Sequence, residues 1–146
     1  MGSRRGIASL LPRESSSPEE TLLLGGEIAE AWLPPYREPL LLTGSLGAGK
    51  TTLVRGIATA WGVESSLIHS PTFSYIHHYQ GATISLYHID LYRLEGGLSG
   101  EIRESIESEY PTLVEWGERA LEEFPHALHL SIESLGPTKR KIEVIA

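Results

Sequence analysis

The sequence predicts an α/β domain of three layers, in which a central mixed and largely parallel sheet ends in a C-terminal β-hairpin. Short apolar segments typical of buried strands alternate along the chain with segments of helical periodicity. A glycine-rich loop lies between one of these strands and the following helix. Near the end of the chain, two segments of alternating hydrophobicity flank Gly136-Pro137, and this arrangement is typical of a hairpin.

Capping residues and helix breakers place the individual elements. Ser17 is a good N-cap, and Pro18 suits the first position of the helix that follows it. Pro34 ends that helix near Trp32, and Gly62 ends the next one. Helices are predicted for residues 18–32, 50–61, 101–109 and 117–124, and strands for residues 40–43, 73–79, 83–89, 112–114, 127–132 and 141–145.

The composition excludes several classes of protein. The chain has 146 residues, of which 40% are hydrophobic and 21% charged, and this is typical of one globular domain. The absence of cysteine excludes disulfides, cysteine-ligated metals and thiol catalysis. The apolar runs are too short for a transmembrane helix, so we expect a cytoplasmic protein with no membrane contact. Residues 1–16 are predicted to be a flexible N-terminal extension, and residues 17–146 a single domain.

The strongest motif is the segment GSLGAGKT, which fits G-x-x-x-x-G-K-[ST] and lies between a predicted strand and a predicted helix. Its backbone N–H groups and the N-terminus of the following helix would bind phosphates. We expect Lys50 to reach the β- and γ-phosphates and the Thr51 hydroxyl to ligate Mg²⁺. A structural glycine loop is the alternative, but the context favours a P-loop NTPase-type domain. The predicted nucleotide-binding residues of this segment are Gly44, Ser45, Leu46, Gly47, Ala48, Gly49, Lys50, Thr51 and Thr52.

Two carboxylates follow strands that can lie beside this loop. Asp90 follows the predicted strand 83–89, and Glu115 follows the strand 112–114. The carboxyl ends of parallel strands meet at one edge of an α/β sheet, where ligands bind. One acid would hold Mg²⁺ together with Thr51, and the other would orient or deprotonate the attacking water. The residues leave open which acid does which, and either could instead be a capping or surface carboxylate.

The sequence also restricts the nucleotide. Guanine-specific GTPases of the Ras type use an N-K-x-D motif to bind the base. The chain has no Asn, and Asp90 is its only Asp, so it cannot contain this motif.

Four segments taken together resemble the TsaE (YjeE) family of bacterial ATPases. They are residues 43–52, Ser-Pro-Thr-Phe at 70–73, His-Ile-Asp-Leu-Tyr-Arg-Leu at 88–94 and Leu-Val-Glu-Trp at 113–116. The resemblance covers about residues 17–146, and it implies a role in making N6-threonylcarbamoyladenosine (t6A) in tRNA. It also implies Mg²⁺-dependent binding and hydrolysis of ATP to ADP, slow in isolation and stimulated by the partner proteins TsaB and TsaD. The tRNA would be contacted only indirectly, through these partners.

The resemblance assigns roles to individual residues as well. It implies that Thr72 belongs to a switch-like segment near the γ-phosphate. It places Asp90 and Glu115 on the functional acids of the family and favours Glu115 as the Mg²⁺ partner of Thr51.

Three further residues are expected near the nucleotide on the same grounds. Trp116 would pack close to it, and simple core packing is the alternative. Ser17 and Arg140 would border the adenine and the phosphates, although a helix cap and a solvated strand end explain them as well.

The negative charge of the chain is concentrated in one segment. The chain carries a net charge of −7, which argues against sequence-independent binding of nucleic acid. Residues 95–123 contain nine Glu and two Arg, and therefore account for the whole of this charge. A solvated helix face is one interpretation of the segment, and a docking face for a basic partner protein is the other.

Two other functions remain open for a phosphate loop in so short a chain. One is a small-molecule kinase, which would need a lid and a substrate lobe. The other is a nucleotide-gated interaction module that does not hydrolyse ATP. Replacement of Lys50 by Ala would abolish nucleotide binding in both an ATPase and such a module. Only an ATPase would lose turnover but keep binding when Glu115 or Asp90 is replaced by Ala.

Overall fold

A computed structural model describes residues 2–45, 47–68 and 76–145, without the side chains of residues 2–4. The helices are α1 (Gly2–Leu10), α2 (Pro18–Ala31), α3 (Lys50–Ala60) and α4 (Gly100–Ile106), with 3₁₀ turns at Ser65–Leu67 and Gly117–Ala120. The strands are β1 (Arg13–Ser15), β2 (Leu40–Thr43), β3 (Ile76–Tyr79), β4 (Leu86–Asp90), β5 (Thr112–Glu115), β6 (Leu128–Ser134) and β7 (Arg140–Val144). No helix in the described ranges combines the length and the apolar character that a membrane span requires.

The seven strands of the described residues form one mixed sheet in the order β1-β7-β6-β2-β5-β4-β3. Its centre is parallel, because β2 pairs in parallel with both β5 and β6, and β4 pairs in parallel with β5. The flanking pairs are antiparallel, among them the predicted hairpin of β6 and β7. The mixed sheet with a C-terminal hairpin is therefore confirmed.

The sheet is covered on both faces, and this gives the predicted three layers. Side chains alternate along β2, so that Leu40 and Leu42 lie in one buried cluster and Leu41 lies in the other. The first cluster includes residues of α1, α2 and α3. The second includes residues of α4 and of the turn at Gly117–Ala120. The central strands are thus buried on both faces, as expected for parallel strands.

Helices α2 and α3 approach each other closely at a pair of glycines. A Cβ atom at Gly25 would lie 2.7 Å from the carbonyl oxygen of Leu53 and 2.9 Å from the Cα atom of Gly56. Neither distance is compatible with a side chain, so the contact needs glycine. The close contact fixes α3, and with it the loop that precedes α3, against the rest of the domain.

Residues 2–16 differ from the flexible extension that the sequence predicts. Residues 2–10 are helical, and Ile7 is completely buried in the first cluster. Strand β1 pairs antiparallel with β7, with Arg13 opposite Ile142. The buried Ser15 hydroxyl lies 2.6 Å from the Thr21 hydroxyl, so its burial leaves no polar atom unsatisfied. The prediction failed because β1 is short and polar, and its pairing depends on a strand more than a hundred residues away.

Candidate nucleotide-binding site

The glycine-rich loop lies at the carboxyl end of the central strand. Strand β2 ends at Thr43, and helix α3 begins at Lys50. Because β5 and β6 flank β2 in parallel, the loop lies at the edge where the carboxyl ends of three strands meet. Open α/β sheets bind their ligands at this edge. Leu46, one of the predicted loop residues, lies outside the described residues.

Two glycines give the loop a backbone that other residues resist. Gly47 has a φ of 76° and Gly49, the N-cap of α3, has a φ of 106°. Both values lie in the left-handed region. Residues with a Cβ atom adopt this region only at a cost in free energy. Apart from Gly47 and its chain neighbours, no atom of the described residues lies within 4 Å of the position that a Cβ of Gly47 would take. Within the described part of the chain the loop is therefore open at Gly47, as a phosphate cradle must be.

The Lys50 side chain folds back over its own loop. Its Nζ atom donates a hydrogen bond to the carbonyl oxygen of Gly44 and another, at 3.1 Å, to that of Ser45. It also lies 4.3 Å from the ring centroid of Trp116. Burial lowers the pKa of Lys50, and the negative charges of Glu115, Glu118 and Asp90 partly oppose that shift. The Lys50 ammonium is thus held at the loop by neutral carbonyl oxygens, and phosphate oxygens could replace these partners.

Glu115 lies in direct contact with Thr51. The Thr51 hydroxyl is 3.0 Å from one carboxylate oxygen of Glu115 and 3.2 Å from the other. Glu115 ends β5 opposite Leu42 of β2, and only 3% of its surface is exposed. A hydroxyl and a carboxylate are hard oxygen ligands of the kind that Mg²⁺ prefers, usually with phosphate oxygens and water completing its shell. The residues therefore fit the cation that the motif predicts.

Asp90 lies at the same level of the sheet but one strand farther from β2. It pairs in register with Glu115, and 7% of its surface is exposed. Its Oδ1 atom accepts a hydrogen bond of 2.8 Å from the backbone N–H of Tyr92. The structure thus brings both predicted acids to the carboxyl edge, with Glu115 beside the loop and Asp90 behind it.

His88 is a member of this cluster that sequence reasoning did not single out as a site residue. Its Nε2 atom lies 2.5 Å from Oε2 of Glu115, and its side chain is completely buried. His88 precedes Asp90 by two residues on β4, so both side chains point to the same face. That spacing was the only sequence feature that could have pointed to His88. It indicates a contact with Glu115 only when β4 is known to lie beside β5.

Trp116 lies beside the loop in an unusual backbone conformation. It has a φ of 59°, and it is the only non-glycine residue among the described residues with a positive φ. Its ring contacts Nζ of Lys50 and packs on the ring of Tyr92, with centroids 4.9 Å apart. It also packs against the second core cluster. Both interpretations made from the sequence, proximity to the nucleotide and core packing, therefore stay compatible with its position.

Arg140 and Ser17 have partners within the protein. The guanidinium of Arg140 donates hydrogen bonds to the carbonyl oxygens of Ala48 at 2.8 Å and Gly47 at 3.3 Å. It therefore holds the outer side of the loop from the hairpin. Ser17 is the N-cap of α2, and its hydroxyl accepts a hydrogen bond of 3.1 Å from the backbone N–H of Glu20. A contact of either residue with a nucleotide stays a prediction.

Two other predictions made from the sequence meet different outcomes. Thr72, the predicted switch residue, lies outside the described residues. The acidic segment 95–123 divides into two parts, because Glu115 is buried in the site and the other eight Glu residues are exposed. One of the eight, Glu123, is paired with Arg103 at 2.8 Å.

Comparison with known proteins decides the family. A sequence model of the family described as "Threonylcarbamoyl adenosine biosynthesis protein TsaE" matches residues 15–142. The chain belongs to the TsaE family. It is 40% identical over 130 residues to the tRNA threonylcarbamoyladenosine biosynthesis protein TsaE of Aquifex aeolicus (strain VF5), covering 88% of this chain and 90% of that protein. It is 34% identical over 132 residues to the protein of the same description from Bacillus subtilis (strain 168), covering 89% and 82%.

A solved structure agrees with this assignment. The structure described as "Crystal structure of Bacillus subtilus YdiB" superimposes with a TM-score of 0.71 at 31% identity, covering 92% of this chain and 83% of that one. The resemblance stated from four short segments is therefore confirmed over most of the chain. Membership in the TsaE family connects the protein with the biosynthesis of threonylcarbamoyladenosine in tRNA.

Proposed function

We propose that this protein binds and hydrolyses ATP in a Mg²⁺-dependent reaction and acts in t6A biosynthesis through a complex with TsaB and TsaD. The observation that carries the proposal is the contact between Thr51 and Glu115 at the end of the glycine-rich loop. In P-loop proteins a Ser or Thr at this position and a carboxylate on a neighbouring strand hold Mg²⁺ between them.

The backbone of the loop and the side chain of Lys50 would bind different phosphate oxygens. The loop N–H groups and the N-terminus of α3 would bind the phosphate oxygens. Lys50 would exchange its carbonyl partners, Gly44 and Ser45, for the β- and γ-phosphates. That exchange is favourable because an ammonium bonds more strongly to a charged phosphate than to a neutral carbonyl.

The two acids would have different roles in ATP hydrolysis. The bound Mg²⁺ would neutralise the charge that develops on the phosphate oxygens. Thr51 and Glu115 would hold that ion, and Asp90, one strand farther out, would orient or deprotonate the attacking water. We expect the protein alone to hydrolyse ATP slowly. Contact with the partner proteins would supply the catalytic groups that complete the site.

The proposal is tested by calorimetric titration of the protein with ATP, with Mg²⁺ and with EDTA. We expect Mg²⁺ to tighten ATP binding, and Lys50→Ala to weaken binding by more than about a hundredfold, because Lys50 would make two charged hydrogen bonds that contribute about 1.5–3 kcal/mol each. Lys141→Ala is the matched control, since Lys141 lies on the hairpin and pairs with Glu143. Equal affinity of the wild type with and without Mg²⁺ would contradict the metal role, and no ATP binding at all would contradict the whole proposal.

A further inference from the structure

A row of buried polar groups continues behind the candidate Mg²⁺ ligand. The hydroxyl of Tyr79 lies 3.0 Å from Nδ1 of His88, and Nε2 of His88 lies 2.5 Å from Oε2 of Glu115. Glu115 in turn accepts the hydrogen bond of Thr51. Tyr79, His88 and Glu115 are 4%, 0% and 3% exposed. Three strands, β3, β4 and β5, thus supply one connected row that ends at the phosphate loop.

The chemistry of the groups sets the direction of these hydrogen bonds. An ionised carboxylate only accepts, so Nε2 of His88 carries the hydrogen and donates it to Glu115. In a neutral imidazole the other nitrogen then accepts, and the Tyr79 hydroxyl is placed to donate to it. The Glu115 carboxylate therefore selects the tautomer of His88 in which Nε2 is the donor, and the Tyr79 hydroxyl satisfies the remaining ring nitrogen.

The two donors to Glu115 differ in what they can do when a metal binds. The oxygen of Thr51 is itself the proposed Mg²⁺ ligand, so the position of its hydroxyl relative to Glu115 depends on the metal. His88 faces one oxygen, Oε2, from the interior of the sheet. It can keep that bond throughout, and so fix the rotation of the carboxylate and leave Oε1 directed to the metal side.

From this geometry we infer that His88 is a positioning residue for Glu115, and that Tyr79 supports it by holding the imidazole ring through its hydrogen bond with Nδ1. The inference rests on the proposed function, because it assumes that Glu115 takes part in binding Mg²⁺. Loss of a hydrogen-bond partner behind a metal ligand typically weakens metal affinity by about ten- to a hundredfold. His88 has no contact with the phosphates in this scheme, so nucleotide binding without metal does not depend on it.

The inference is tested by measuring ATP affinity as a function of Mg²⁺ concentration. His88→Leu removes the donor and keeps an apolar side chain of similar size. We expect the Mg²⁺ concentration at half-maximal effect to rise about tenfold, and the ATP affinity in EDTA to stay unchanged. His88→Gln offers an amide N–H near the position of Nε2, and we expect it to restore the wild-type midpoint to within about threefold. His78→Gln, an exposed histidine on the neighbouring strand β3, is the matched control.

A second variant covers the case in which His88→Leu does not fold. Tyr79→Phe removes only the hydroxyl, and we expect it to raise the Mg²⁺ midpoint by about threefold to fivefold, as for the loss of one neutral hydrogen bond. The wild type separates the two ways of failing. If Mg²⁺ has no effect on its ATP affinity, the proposed function fails. If Mg²⁺ tightens wild-type binding but the midpoint is the same in the folded His88 and Tyr79 variants, the positioning role is contradicted.

Discussion

Strands β5 and β4 both end in a buried acid, yet the two ends have different surroundings. Glu115 lies next to β2, and its carboxylate contacts Thr51 and His88. Asp90 lies in register with it one strand away and accepts a hydrogen bond from the backbone of Tyr92. The two carboxylates have almost equal burial. The order of the strands, rather than the residue type or its burial, therefore distinguishes the acid at the loop from the acid behind it.

The largest effect is expected at the acid beside the loop. We expect Glu115→Gln to slow Mg²⁺-dependent ATP hydrolysis at least about a hundredfold, because a bound metal ion lowers the activation barrier by several kcal/mol. It should also abolish the tightening of ATP binding by Mg²⁺. Steady-state hydrolysis and calorimetry measure the two effects. Glu38→Gln, an exposed acid just before the opposite end of β2, is the control. Unchanged Mg²⁺ dependence of ATP binding in Glu115→Gln would contradict the assignment of Glu115 as a Mg²⁺ ligand.

A smaller and different effect is expected at the acid behind the loop. Asp90→Asn keeps an oxygen that can accept the hydrogen bond from Tyr92, so the fold of the strand end should persist. We expect ATP affinity with Mg²⁺ to stay unchanged and hydrolysis to slow by about a hundredfold, the lower end of the effect expected for loss of a group that orients or deprotonates water. A fall in Mg²⁺-dependent affinity equal to that of Glu115→Gln would remove the distinction between the two acids.

Among the described residues, Arg140 contacts the phosphate loop but neither of the two acids, so its replacement tests the loop separately. Its guanidinium donates hydrogen bonds to the carbonyl oxygens of Gly47 and Ala48, and these bonds fix the direction of the two carbonyl groups. We expect Arg140→Gln to weaken ATP binding by about threefold to tenfold in EDTA and in Mg²⁺ alike, because the metal ligands are not touched. Lys139→Gln alters the neighbouring charge, which pairs with Glu14, and is the control. An effect seen only in Mg²⁺ would contradict the role of Arg140 in holding the loop.

The smallest effect concerns pH and stability near the start of the loop. His129 contacts the Thr43 hydroxyl, and burial lowers its pKa below the ordinary 6.5, although Glu118 partly opposes this shift. The unfolded chain therefore binds this proton more readily than the folded chain does. The free energy of unfolding should decrease as the pH falls below about 6.5, until the folded state binds the proton as well.

Urea unfolding at a series of pH values measures this dependence. His129→Gln should flatten the curve in this range, whereas replacement of the exposed His126 by Gln should not. A wild-type curve that rises as the pH falls would contradict the assigned direction.

Local signals in the sequence predicted most of the fold. The N-cap at Ser17, the strand before the loop and the final hairpin each depend on residues close together in the chain, and each is confirmed. The candidate site was predicted where a motif marks it, as at Lys50 and Thr51. His88 and the loop contact of Arg140 depend on which strands are neighbours in the sheet. Pairing over such distances leaves no local pattern, and the polar strand β1 was missed for the same reason.

The most direct test of the account is ATP hydrolysis with Mg²⁺, measured for the protein alone and with the TsaB and TsaD proteins of the same organism. We expect slow release of inorganic phosphate by the protein alone, strong stimulation by the two partners together, and loss of both rates in Glu115→Gln. Tight ATP binding without hydrolysis under either condition would contradict this expectation and favour a nucleotide-gated interaction module. Transfer of phosphate to an added metabolite would contradict it in favour of a kinase.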